Sequence, residues 1–131
     1  MPLVLQTDTN PGTAEFTELG ALSMSPPVLP DPGDGNPIPV TQSARIFLTS
    51  AAPGETNTLP NPAVDGLTLI LVGNSTNART ITAATAVAPG LSTLGVGAGE
   101  FIILRSTETR AGTDVPAFVW TVMSNYGVTL S

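Results

Sequence analysis

The chain has 131 residues, a length typical of one domain, and a net charge of −6 from ten acidic and four basic side chains. It contains no cysteine, histidine or lysine. This composition excludes disulfides, thiolate and imidazole metal sites, catalysis by cysteine or histidine, and lysine Schiff bases. Four scattered arginines in an acidic chain make binding to nucleic acid or to an anionic membrane surface unfavourable. We expect neither a signal peptide nor a membrane span, because no apolar run has the required length or basic flank.

Proline dominates the first part of the chain. Residues 1–39 hold eight of the 13 prolines, and proline fixes φ and cannot donate to a sheet ladder. We therefore predict an extended N-terminal arm over residues 1–39. Within it, Phe16, Leu19 and Leu22 are near helical spacing, so a short helical turn around residues 13–22 is an alternative that Gly20 weakens.

Short apolar or alternating segments, separated by turn residues, fill the rest of the chain. Their spacing and the lack of a sustained helical period predict an all-β domain over residues 40–131, either an antiparallel β-sandwich or a small barrel. A glycine-rich loop is expected at residues 88–99. The predicted strands are residues 45–50, 58–60, 67–72, 79–85, 101–104, 118–123 and 128–130. The predicted core residues are Ile46, Leu48, Leu59, Leu67, Leu69, Leu71, Ile81, Phe101, Ile103, Val119 and Val122.

Three polar or glycine-rich motifs each have a simple structural interpretation. The run Gly95–Gly99 lacks the spacing and the following helix of a nucleotide-binding loop, so it is interpreted as a turn before a strand. The oxygen-rich run from Asp31 to Asn36 lacks the ligand spacing of a calcium loop, so a solvated turn is favoured. Asn74-Ser75-Thr76 is a formal glycosylation sequon, interpreted here as a hairpin tip.

The remaining candidate residues favour a protein without an active site. The carboxylates are dispersed along the chain and form no catalytic set, so we expect no enzyme activity, no metal and no cofactor. Trp120 lies among apolar neighbours, which favours a core or subunit-interface position over an exposed sugar-binding platform. Arg79 and Arg105 flank strands, where they could form ion pairs across an interface or remain solvated.

An ordered series of motifs between Thr58 and Ser124 resembles a β-module of tailed-bacteriophage virion proteins. The series runs from a TLP strand and a DG turn, through an apolar strand with an N-S/T turn and a TIT strand, to an AGE step, a second apolar strand and a W-x-V strand. The matching residues are Thr58–Pro60, Asp65–Gly66, Leu69–Asn74, Thr80–Thr82, Ala98–Glu100, Phe101–Leu104 and Trp120–Val122. The module occurs in tail fibres, spikes and head-decoration proteins and often forms trimers. The arm, residues 1–39, is not part of the resemblance.

The resemblance implies a viral structural protein. A short chain without heptads or repeats is most similar to a capsid decoration (cement) protein, which would bind the major capsid protein on the outer surface of the capsid as a homotrimer. Trp120, Arg79 and Arg105 would then lie in the trimer interface. Capsid or inter-subunit contacts are expected from apolar residues of the arm, namely Leu3, Leu5, Phe16, Leu19, Val28, Leu29 and Ile38. A tail-fibre or receptor-binding tip that recognises carbohydrate is the main alternative, and a non-virion β-sandwich binding module or minor enzyme is the third.

Overall fold

The computed structural model describes residues 26–110 and 112–131, which form nine β-strands and no helix. Most strands are short and are bounded by glycine, proline, asparagine or aspartate, as the sequence predicts. The strands are β1 (Val28–Leu29), β2 (Ala44–Leu48), β3 (Thr56–Leu59), β4 (Thr68–Gly73), β5 (Arg79–Ala83), β6 (Thr93–Val96), β7 (Phe101–Thr109), β8 (Ala117–Tyr126) and β9 (Thr129–Leu130).

The strands form two sheets, which is the all-β, sandwich-like architecture expected from the sequence. The large sheet has the order β1-β2-β4-β7-β8, and the small sheet has the order β3-β5-β6-β9. Alternation along the strands gives each sheet a buried inner face, as in β4, where Leu69, Leu71 and Gly73 are buried and the residues between them are not.

The predicted antiparallel pairing is present in both sheets but is not the only kind, because both sheets are mixed. β1 and β2, β2 and β4, and β3 and β5 pair in parallel, whereas the other pairs are antiparallel. The cause is the path of the chain, which changes sheet after each of β2, β3 and β4. β2 therefore pairs with β4 and β3 with β5, and in each case the strand between them provides the crossover that parallel pairing needs. For β1 and β2 the crossover is the connecting segment of residues 30–43, in which the Ile38 N–H donates to the Thr58 carbonyl of β3.

The predicted core is confirmed for the early strands and shifted by one residue in β7. Ile46, Leu48, Leu59, Leu69, Leu71 and Ile81 are all buried, whereas Leu67, just before β4, is only partly buried against the core. In β7 the buried apolar residues are Ile102 and Leu104, whereas Phe101 and Ile103 lie on the other face. The four residues FIIL are all apolar, so alternation cannot indicate the face, and a shift of one position reverses it. Likewise Trp120 in β8 is buried, whereas Val119 and Val122 are only partly buried.

Two further segments differ from expectation. The predicted glycine-rich loop contains β6, in which Leu94 and Val96 are buried and Gly95 lies between them. The described end of the predicted arm belongs to the β-domain, because β1 pairs with β2 and Ile38 is 1% exposed in the core. The predicted helical turn at residues 13–22 lies outside the described residues.

Candidate functional site

Arg79, the first residue of β5, is at the centre of the most extensive polar network in the described residues. Its side chain is 1% exposed. Nη1 and Nη2 donate to the two oxygens of Asp31 at 3.2 and 3.1 Å, and Nε donates to the Ser50 hydroxyl at 2.9 Å. Further bonds go to Glu55 Oε1, to Asn57 Oδ1 and to the Thr49 carbonyl. All three nitrogens of the guanidinium therefore donate to oxygens within the chain.

The same network holds the loop between β1 and β2 against the small sheet. Asp34 Oδ1 accepts a bond from the Thr56 backbone N–H at 2.7 Å. The buried Asn57 amide donates to the carbonyls of Gly33 and Asn36. The oxygen-rich run from Asp31 to Asn36 is thus a turn docked on β3. Its carboxylates are occupied by arginine and backbone N–H donors.

The carboxylate of Asp31 is held in its charged form. Burial raises the pKa of this group, but hydrogen bonds from the backbone N–H groups of Thr49 and Gly33 and from Arg79 outweigh that effect. The pKa of Asp31 therefore lies below its ordinary value of 3.8. In the described residues no three acidic side chains come together as a metal-ligand set. The arrangement stabilises a loop, and its geometry offers no free base or nucleophile.

The large sheet carries a second feature, an apolar surface on the side away from the core. Phe47, Val72 and Phe101 are register partners across β2, β4 and β7, so their side chains lie on the same face. Tyr126 stacks on Phe101 with ring centroids 5.3 Å apart. We define the outer apolar face as Phe47, Ile70, Val72, Phe101, Ile103 and Tyr126.

Charge on this surface has only one sign. Arg45 is in register with Ile70 and Ile103, and Arg105 follows Ile103 by two positions in β7. The outward positions of the five strands carry these two arginines and no carboxylate. The face is therefore apolar and basic in a chain whose net charge is −6.

Strand β8 forms a long edge of the large sheet beside this face. It has ten residues, none of them charged or proline, and among residues 26–110 and 112–131 it pairs only with β7. Met123 is 61% exposed where the register between the two strands shifts. Natural proteins usually protect an edge of this kind with charge, proline or a covering segment, because its backbone can pair with another chain.

The outer face of the small sheet has a different character. Its register rows place hydroxyl side chains next to each other, as for Thr58, Thr82 and Thr93, and no charged side chain lies among them. Threonine presents both a methyl and a hydroxyl group on such a surface. The threonines of this face are Thr56, Thr58, Thr80, Thr82, Thr93 and Thr129.

The structure places two of the expected interface residues inside the chain. Trp120 is 2% exposed and donates from Nε1 to the Pro60 carbonyl at 2.9 Å, and Arg79 is enclosed by the network described above. Side chains enclosed by their own chain have almost no surface to offer a second chain, so the interface roles expected for these two are corrected to structural roles. Arg105 is exposed on the outer apolar face.

The expected arm contacts have different positions. Val28 is 60% exposed, Leu29 packs on the core, and Ile38 is a core residue, so its expected contact role is corrected. Leu3, Leu5, Phe16 and Leu19 lie outside the described residues. The apolar run of residues 67–72 is the pattern of a strand covered on both faces, so the sequence indicates an apolar outer side for β4, but not the neighbouring residues of the outer apolar face.

Comparison with protein-family models, with curated proteins and with solved structures found no match to this chain. Among residues 26–110 and 112–131, no helix is long and apolar enough to cross a membrane. The resemblance to phage virion modules therefore depends on the sequence motifs alone.

Proposed function

We propose that the chain is a structural protein of a tailed-phage virion that decorates the outer surface of the capsid and stabilises the shell. It would do so as a trimer bound to the major capsid protein. The observation that carries the proposal is the uncharged edge of β8 beside the outer apolar face, where no described strand other than β7 pairs with it. A sheet edge of this kind binds another chain through main-chain hydrogen bonds, which is suited to attachment rather than to catalysis.

The order of the motifs supports the same proposal. The TLP motif overlaps β3, the TIT motif lies in β5, and the W-x-V motif lies in β8. The DG turn precedes β4, and the AGE step leads directly into β7. The motifs of the resemblance thus belong to successive parts of one folded unit.

A capsid binds such a protein at many equivalent sites, so copy number is the decisive measurement. Quantitative mass spectrometry of purified virions should give about one copy per major capsid subunit, because only a lattice-wide site requires that many. A few copies per particle would instead indicate a tail position. Absence from the particle would reject the proposal.

The role of the β8 edge has its own test with a matched control. Met123→Lys places a charge on the edge, and Val64→Lys places one on a loop residue that is 49% exposed. Capsids lacking the protein are mixed with each purified variant and sedimented. We expect Met123→Lys to lose most of its binding and Val64→Lys to keep it, because a lysine on an edge strand opposes strand addition. Equal capsid binding by the two variants would show that the β8 edge does not contact the capsid.

A receptor-binding tip is the second candidate, and one observation favours it. Tyr126 is 64% exposed and stacks on Phe101, so its ring is available to a sugar. Glycan-array binding by the purified protein that is lost in Tyr126→Ala, with the fold intact, would support this candidate. The buried Trp120 cannot serve as that platform.

A further inference from the structure

The outer apolar face is a contiguous apolar surface that no described strand covers. Ile70, Val72 and Ile103 are only partly exposed, whereas Phe47 is 38% and Tyr126 is 64% exposed. A sheet with one solvated face normally alternates apolar and polar residues, but the outward positions of β4 include isoleucine and valine. A contiguous apolar surface of this kind marks a contact site.

Charge limits what the occupant can be. The face carries Arg45 and Arg105 and no carboxylate, so a second copy packed face to face would bring arginines together without counter-charge. The occupant should combine apolar side chains with carboxylates. One segment of this chain has that composition, because residues 13–22 contain Phe16, Leu19 and Leu22 together with Glu15 and Glu18. No basic residue precedes Arg45 in the sequence.

The position of the segment also fits. The described chain enters the fold through β1, which is an edge strand of the large sheet and pairs with β2. Val28 in β1 is the register partner of Arg45 on the outer side. Leu22 and Val28 are six positions apart, with five residues between them, and an extended chain over six positions spans about 20 Å. Five strands spaced about 4.8 Å apart have a similar width, so the segment can reach across the sheet.

We propose that residues 13–22 dock on the outer apolar face of the same molecule, with Glu15 and Glu18 facing Arg45 and Arg105. The segment supplies apolar side chains to a face that no described strand covers, and carboxylates to a face whose outward strand positions carry arginines and no acid. Apart from Tyr126, the docking site contains no residue of β8, and the inference does not depend on the proposed function.

The absence of cysteine allows a direct test in the full-length protein. Leu19→Cys is combined with Ile70→Cys or, separately, with Ile103→Cys, and the purified protein is treated with a short bismaleimide. Leu19→Cys with Thr82→Cys is the control, because Thr82 lies on an inner strand of the small sheet and is exposed on its outer face. Emission from Trp120 verifies that each variant is folded.

We expect the first two pairs to form an intramolecular cross-link at least fivefold faster than the control. Equal rates for all three pairs would overturn the proposal. A dimer band in place of the intramolecular product would also overturn it, because the segment would then occupy the face of a neighbouring copy.

The same cross-linking assay tests whether Glu15 and Glu18 face Arg45 and Arg105. Glu15→Gln with Glu18→Gln, added to the Leu19→Cys/Ile70→Cys protein, should slow cross-linking at least twofold at low ionic strength. High salt should remove that difference, because it screens exposed charges. An unchanged rate at low salt would contradict the assignment of Glu15 and Glu18 to the two arginines.

Discussion

Arg79 shows how a single side chain connects distant parts of this chain. Its partners come from the loop after β1, from the segment between β2 and β3, and from β3 itself. A buried guanidinium is tolerated because its donors are satisfied and two carboxylates balance its charge. Loss of the guanidinium would leave those carboxylates without their counter-charge.

We therefore expect Arg79→Ala to lower the free energy of unfolding by about 3–5 kcal/mol. The control is Arg110→Ala, because Arg110 pairs with Glu108 at the surface, where both side chains are well exposed. That substitution should cost less than about 1 kcal/mol. Urea unfolding followed by Trp120 emission measures both values, and similar losses in the two variants would contradict the assigned role.

Asp31 makes the free energy of unfolding depend on pH in the acidic range. Its pKa is lowered in the folded state, so its contribution is complete above the unfolded value of about 3.9 and is lost as pH falls through the folded pKa. We expect Asp31→Asn to be less stable than the parent near neutral pH and to lose less stability between about pH 4 and pH 2. Unfolding free energies measured across that range test this, with Asp114→Asn as the charge-matched control. An equal loss of unfolding free energy in Asp31→Asn and in the parent over this pH range would contradict the prediction.

Sequence reasoning could not assign the partner of Arg79. The oxygen-rich character of the run from Asp31 to Asn36 is recognisable in the sequence, and the turn expected there is present, but it is docked on β3 rather than solvated. The pairing with Arg79 spans 48 positions and depends on the loop crossing from the large sheet to the small one. Local spacing carries no information on a contact of that kind, so Arg79 was assigned to an interface.

At the scale of elements, the ends of β4 and β6 approach each other so closely that a side chain is excluded. A Cβ atom built at Gly73 would overlap the carbonyl oxygen of Gly97. The Gly73 N–H donates to the Glu100 carbonyl, and Glu100 Oε1 accepts from the Gly97 N–H at 2.6 Å. This turn connects β6 to β7 and fixes where β7 begins.

We expect Gly73→Ala to destabilise the protein by about 3 kcal/mol, because backbone atoms on both sides would have to move. Gly95→Ala is the matched control, since its Cβ would meet Thr129 at an ordinary distance of 3.7 Å. Alanine is preferred to glycine in a regular strand, so the control should be neutral or up to about 1 kcal/mol more stable. Thermal unfolding of the two variants provides the comparison, and equal melting temperatures would contradict the close approach.

Most strands were predictable because their apolar residues lie between clear turn signals. One example is LTLILV, residues 67–72, which overlaps β4, and another is RTITA, residues 79–83, which is β5. The parallel pairing was not predictable, because nothing in a strand's own residues states which sheet it joins. β6 was missed because its glycine and neighbouring small residues resemble a loop, whereas the pairing with β5 decides its conformation.

At the scale of the whole molecule, the two sheets share one core. Ile46 and Leu69 of the large sheet and Leu59 and Ile81 of the small sheet belong to the same buried cluster. Trp120 of the large sheet bonds to Pro60, which directly follows β3 of the small sheet. Neither sheet can therefore lose its partner without exposing that core.

We expect urea unfolding to be a single transition in which Trp120 emission and far-UV circular dichroism coincide. Trp120 is the sole tryptophan and reports on the packing between the sheets, whereas circular dichroism reports on all the strands. Two separated midpoints would indicate that one sheet unfolds before the other. Such a result would contradict the shared core.

The Asp31–Arg79 pair also has a mechanical consequence. A pull on the chain ahead of Pro26 would first reach β1, which has only two residues, and then Asp31, which begins the docked turn. There the tension would pass through two parallel hydrogen bonds into β5 of the other sheet rather than along β2. The pair therefore transfers force from the leading segment to β5 before that force reaches β2. Such a force can detach β1 while leaving the pairing of β2 with β4 intact.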